Sequence, residues 1–311
     1  LVVDVADRDS SAEPDGVPYE LLAESVIPGI ETTDFVNIFE EQTVNRTVVL
    51  AAIGLPTNVF AEDEKLFTFG SHMVSHEVSE RFKLTNPFKV PCTVGLTVAA
   101  RAPKGGAPPS AGDTALPFDV EPKRLTIPPH EHRYVTCFFS PQSMQTYFGA
   151  FEAEVELGTV PETKKLTFDL MAEGTLPHVS VIKPVAKTEE GAPLLSFPRL
   201  LVGRTSRQQL TLRNEGVLPA TVSVSQITGP SPFACVLCGQ SVSLASMAEQ
   251  TVDVVFRPTQ EGEVTASFQV SVHQNAFEDV AIQLKAEGHV QQVAFEDLPA
   301  PPEAASAAVD I

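Results

Sequence analysis

The 311-residue chain contains no tryptophan, three tyrosines and only four cysteines. Four thiols (Cys92, Cys137, Cys235 and Cys238) at no obvious paired spacing argue against a disulfide framework and favour a reducing compartment. No apolar run approaches the ~18 residues that a membrane-spanning helix needs. Positive charge is scarce: 21 Lys and Arg face 40 Asp and Glu, for a net charge of −19. A nucleic-acid partner wants a basic face and is not expected. No glycine-rich phosphate loop leads into a helix, and no nucleophile, base and orienting residue occur together. The sequence therefore offers no catalytic residues, no cofactor site and no enzyme activity. The first residue is Leu and no signal segment follows, so the chain reads as a piece of something longer.

What the chain has is phenylalanine, proline and repetition. Apolar residues make up 43%, with 19 Phe and 26 Pro, enough for two or three cored domains. The acid is uneven. Segments 1–24, 25–65 and 288–311 carry −6, −5 and −4, whereas 66–174 and 175–287 carry −2 each. The two near-neutral blocks align on each other. Over 30 residues without a gap, Phe69 falls on Phe197, Asn86 on Asn214 and Pro91 on Pro219. Further on, Phe118 corresponds to Phe233, Phe139-Ser-Pro141 to Phe256-Arg-Pro258, and FDLMAEG (168–174) to IQLKAEG (282–288). In each block a Phe follows the Pro by ten residues, as Phe151 and Phe268. The Pro is expected to end an inner strand and the Phe to start the next.

Apolar and polar residues alternate at Phe82 and Leu84, at Leu210 and Leu212, from Phe151 to Leu157 and from Phe268 to Val272. Period two with one polar face means strands buried on one side. Turn signals such as Asn86-Pro87, Gly105-Gly106 and Asn214-Glu-Gly216 separate them. About seven short strands per block predict an all-β chain of tandem immunoglobulin-like antiparallel β-sandwiches. The expected boundaries are 1–27, the last strands of a preceding repeat; 28–65, a connector or insert; 66–174 and 175–288, two complete domains; and 289–311, a linker or the start of another repeat. Within the insert, Glu31–Gln42 predicts a short helix capped by Thr33 or Asp34, with Phe35, Ile38 and Phe39 on one face. Residues 101–113 read as a long mobile loop, and LPAPPEAASAA near the end as a linker or disordered tail.

Three motifs invite chemistry. Cys235-Val-Leu-Cys238 has zinc-knuckle spacing, but no second pair accompanies it, and the alignment sets Cys235 on Val120, an ordinary strand position. Cys137 falls likewise on Val254. His130 and His132 lack a third ligand and read as a polar turn, so no metal is expected. Arg199, Arg204, Arg207 and Arg213 form a basic cluster; parity points Arg207 and Arg213 outward beside Gln209 and Thr211, and the first block offers Arg81 and Lys83 at the matching strand. Arg204, Arg207, Arg213, Arg81 and Lys83 are the candidate docking residues, either a plain solvated face or a surface for an acidic partner.

The repeats resemble the immunoglobulin-like domains of the ASH, PapD and major-sperm-protein type, which share the Phe-x-Pro corner and an Ala-Glu-Gly closing strand. An ordered set of phrases, among them GVPYELLAE, IFEEQ, FSPQSMQTY and LLVGRTSRQQLTLRNEGVLPA, is similar to the ciliary branch of that group from Leu1 to about Ala220, and thins after it. An extracellular immunoglobulin domain would instead place cysteines near Phe82 and Phe151 with a Trp between, and all three are missing. The resemblance implies a non-enzymatic structural scaffold of the axonemal central apparatus, part of a C2-type projection required for motility. The partners it implies are other central-apparatus proteins and the tubulin of the central-pair microtubule. The alternative is a cytosolic peptide-binding adaptor of the major-sperm-protein type, with the Arg cluster as its groove.

Overall fold

A computed structural model of the chain describes residues 2–3, 17–18, 21–48, 53–101, 116–228 and 232–291. The expected mobile loop (beyond Arg101) and the expected Pro-rich tail lie outside the described residues. The chain divides into two units, Leu1–Thr175 and Leu176–Ile311. In the first unit the elements run β1 (Val2–Val3), β2 (Val17–Pro18), α1 (Phe35–Ile38), β3 (Thr43–Asn45), β4 (Val59–Ala61), β5 (Leu66–Met73), β6 (Val78–Thr85), β7 (Cys92–Ala100), β8 (Phe118–Glu121), β9 (Arg124–Ile127), β10 (His132–Phe139), β11 (Thr146–Val155), α2 (Pro161–Lys164) and β12 (Lys165–Thr175). In the second they run β13 (Val179–Lys183), β14 (Leu194–Ser196), β15 (Leu200–Leu201), β16 (Ser206–Asn214), β17 (Ala220–Val224), β18 (Phe233–Cys235), β19 (Ser241–Leu244), β20 (Glu249–Phe256), β21 (Gly262–Val272) and β22 (Val280–His289).

Each unit is built on a two-sheet immunoglobulin-like sandwich, and in the first β1 and β2 pair as a separate two-stranded sheet. The first sets β6-β10-β8 against β3-β4-β5-β12-β11-β7-β9; the second sets β13-β16-β20-β18 against β14-β22-β21-β17-β19, with β15 also on β22. Alternation delivers one face of every long strand to the core. On β16, Leu210 and Leu212 are fully buried, and on β11, Phe151, Ala153 and Val155 are. The sheets are not antiparallel throughout: β5 pairs parallel with β12, and β14 with β22. The chain enters the second unit on one sheet, with β13 antiparallel on β16, then crosses and resumes as β14 on the other sheet. Such a crossover leaves the incoming strand parallel to the last one.

The Phe-x-Pro corner is explained by what packs around it. In the first unit Phe69, Phe118 and Phe139 form a triangle with ring centroids 5.0–5.9 Å apart. In the second Phe197, Phe233 and Phe256 form the same triangle at 5.0–5.6 Å. Two residues past the third ring, the Pro turns the chain, and the glycine of the closing strand passes beneath. A Cβ on Gly174 would meet the Ser143 carbonyl oxygen at 2.4 Å and Pro141 at 2.8 Å; one on Gly288 would meet Gln260 O and Pro258 at the same distances. The carbonyl of each Pro accepts a backbone N–H, from Ser75 at 2.8 Å and Gly203 at 3.0 Å, both in the left-handed region. Phe151 and Phe268 enter the cores as expected. They lie within strands rather than at their starts, because β11 and β21 begin five and six residues earlier.

A second device is also duplicated. Asn86 and Asn214 are fully buried. The Asn86 amide donates to the carbonyls of Val90 (2.8 Å), Ile127 (3.1 Å) and Pro128 (3.1 Å), and its oxygen accepts from Phe88 N (2.9 Å). Asn214 does the same to Leu218 (2.8 Å), Leu244 (3.0 Å), Ala245 (3.1 Å) and Gly216 N (2.9 Å). One side chain thus satisfies several loop carbonyls and ties two turns to the end of a strand.

The predicted helix Glu31–Gln42 is a single turn, Phe35–Ile38. Asp34 caps it, its carboxylate accepting from Asn37 N at 3.1 Å. Phe39 leaves helical geometry because its ring is drawn into the core, stacked on Phe60 at 4.0 Å.

Replacing Asn86 or Asn214 with Ala strands buried carbonyls and is expected to cost about 3 kcal/mol in urea unfolding. Gly174→Ala or Gly288→Ala is expected to cost about 2 kcal/mol through overpacking. Gly95→Ala, whose Cβ would meet nothing nearer than 3.9 Å, is the control and is expected to be near neutral.

Candidate docking surface

In the first unit the outer face of β6 is covered by the chain's own insert. Glu31 N donates to Thr85 O at 2.9 Å, and the Gln42 amide donates to Glu80 Oε2 (3.0 Å) and Arg81 O (3.1 Å). The sequence places two acids directly after the buried Phe39, and both find cations. Lys83 Nζ lies 2.6 Å from Glu40, and Arg81 pairs with Glu41 through Nε (3.1 Å) and Nη2. Tyr134 donates its hydroxyl to Glu40, and the Arg81 guanidinium sits 5.0 Å above the Tyr134 ring. The hydrogen bonds from Lys83 and Tyr134 hold the Glu40 carboxyl below its usual range, and Glu40 in turn raises Lys83 and Tyr134. Glu41 raises Arg81.

The second unit has no such insert. Arg207 lies 3.6 Å from Asp253, Arg213 lies 3.7 Å from Glu249, and Arg199 pairs with Glu287 at 3.0 Å. Arg204 sits in the turn before β16 with no ion pair among the described residues. Six residues of extended strand, roughly 20 Å, separate Arg207 from Arg213, so the cluster is spread along the strand and does not converge. Thr211, expected outside with them, is 4% exposed and hydrogen-bonded to Thr251 at 3.0 Å. Sequence reasoning found the cations and missed their partners. The available signal was the Glu40-Glu41 pair beside an aromatic.

The cysteines are free and serve packing. On the matching strand pair, Val120 faces Cys137 in the first unit and Cys235 faces Val254 in the second, so the two residue types have traded places. Burial pushes the Cys137 thiol up to about 12; burial and the neighbouring Cys235 do the same for Cys238. His130 occupies a left-handed turn and His132 packs edge-on against Tyr134. Among the described residues no group of three His, Cys, Asp or Glu is placed to hold a metal ion, and no helix is long and apolar enough to cross a membrane.

The family model for ASH (Abnormal spindle-like microcephaly-assoc'd, ASPM-SPD-2-Hydin) matches residues 185–280. The ASH match lies within the second unit, and the first unit repeats its Phe triangle, Asn clamp and Pro–Gly crossing. Over 96% of its length the chain is similar to two curated relatives: Hydrocephalus-inducing protein of Mus musculus (32% identical) and its Homo sapiens homolog (31%). The similarity therefore extends well past Ala220, where the quoted phrases thin. The chain spans about 6% of the length of these relatives. Among solved structures, the ASH / PapD-like domain 7 of human CEP192 is 18% identical, covering 36% of this chain and 82% of that one, with a TM-score of 0.30.

The lowered Glu40 carboxyl fixes a pH dependence. Its contribution to holding the insert is complete above the ordinary carboxylate range and is lost as pH falls through its lowered value. The hydrogen-exchange protection of residues 35–45, relative to their intrinsic rates, is expected to fall below about pH 4 before that of the core amides does. Glu40→Gln is expected to remove that pH step.

Proposed function

We propose that the chain is a segment of a structural scaffold of the ciliary axoneme, in a C2-type projection of the central apparatus required for motility. The observation that carries this reading is similarity to Hydrocephalus-inducing protein over 96% of the chain, joined to two tandem sandwiches built on one plan. In this reading the chain is not an enzyme. Its work is geometric: each sandwich holds a fixed shape, and a string of them sets spacing along a microtubule.

The partners on this reading are other central-apparatus proteins and tubulin. In the second unit the ion pairs of the exposed Arg207 and the half-buried Arg213 are long, so an acidic neighbour competes for them together with Arg204. In the first unit Arg81 and Lys83 are already held by Glu41 and Glu40.

The test is location. The full-length protein, tagged in a ciliated cell and examined by electron tomography, is expected on a central-pair projection that disappears in the null mutant. A tag in the cytosol or at a membrane, with a normal central pair in the null, would overturn the reading.

A further inference from the structure

The two units close the crossover between their sheets in different ways. In the first, the insert plugs it. β4 pairs antiparallel on the outer edge of β5, with Phe60 opposite Phe67, and Phe39 sits between Phe60, Phe67, Phe82 and Phe168 at centroid distances of 4.0–5.6 Å. Phe39 and Phe60 are fully buried. Gln42 and Asn58 seal the rim by donating to Glu80.

The aligned positions of the second unit are Leu195 for Phe67, Gln208 for Glu80 and Gln209 for Arg81. There the crossover is short and its core side is closed, Leu195, Leu210 and Ile282 (aligned with Phe67, Phe82 and Phe168) being buried, but its rim is a surface groove of about 620 Å³ lined by Leu195, Gln208 and Gln209. Val185, on its wall, is 84% exposed. No aromatic side chain lines it. Its charge is also distinct. Lys183 reaches Gln209 Oε1 at 3.4 Å, putting an ammonium beside the residue that replaces Arg81. Arg207 adds a second cation against one acid, Asp253.

We propose that this groove of the ASH domain is a docking site for a short segment of a partner protein in which an aromatic residue is followed by acidic ones, the chemistry of Phe39-Glu40-Glu41. The aromatic ring packs in the groove against the exposed Val185, outside the buried Leu195. The acids meet Lys183 and Arg207 as Glu40 and Glu41 meet Lys83 and Arg81. Charge complementarity selects the acids, and the segment that seals the aligned rim at Glu80 and Arg81 in the first unit is the pattern for the partner. The inference rests on the comparison of the two units, not on axonemal placement, so the two can fail separately.

The test uses the full 311-residue chain and a labelled peptide of residues 31–45, read by fluorescence anisotropy. Saturable binding at micromolar concentration is expected. It should weaken about tenfold when the peptide carries Phe39→Ala, or when the chain carries Lys183→Glu with Arg207→Glu. The exposed variant Val185→Asp, with its urea midpoint unchanged, should weaken it similarly. Absence of saturable binding overturns the proposal. So does binding that the Lys183 and Arg207 reversals leave unchanged, which would place the peptide in the first unit by exchange with the insert. Self-association of the chain, abolished by those reversals while the peptide fails to bind, would assign the groove to a second copy instead and equally overturn it.

Discussion

A buried asparagine amide is the constraint on which each sandwich depends. The loops at that end must turn sharply, and turning leaves carbonyls facing inward where water does not reach. Asn86 and Asn214 each answer three such carbonyls, and one backbone N–H besides, with one planar side chain. A buried polar group that is fully satisfied specifies one arrangement, because every alternative leaves donors or acceptors unpaired. The clamp fixes the strand ends, and the strand ends fix which faces meet. The Phe triangle and the Pro–Gly crossing then lock the opposite side of the core, where a single added carbon on Gly174 or Gly288 would run into backbone. The protein repeats this set twice with nearly the same distances.

The units differ where the chain passes from one sheet to the other. The first unit spends a long insert there, two aromatic rings inward and two acids outward, and in doing so neutralises the cations of β6. The second makes the passage with a short loop, carries aliphatic residues at the corresponding core positions and leaves its cations weakly engaged. One fold thus presents a crossover sealed by an insert and one edged by an open groove. Surface ion pairs of this kind add little stability. Their consequence is that they decide which charges remain for a partner.

The sequence alone determined the two-unit plan, the all-β alternation and the three duplicated devices. Asn86 with Asn214, the three Phe pairs and Pro141 with Pro258 align without knowledge of the fold, because period two and turn chemistry are local. It also marked Cys137 and Cys235 as packing residues, which the traded Val–Cys pairs explain. Only the tertiary structure decided that β5 and β14 run parallel to the closing strands, since that follows from a crossover between sheets and not from any residue's preference. It decided that the helix stops after one turn, where Phe39 leaves helical geometry with its ring packed on Phe60 and Phe168. And it decided that Arg81 and Lys83 are occupied while the groove beside Lys183 stands open. Ion pairs between Glu40-Glu41 and a strand some forty residues later are long-range contacts, and the local pattern, which shows two acids beside an aromatic, does not say which cations they meet.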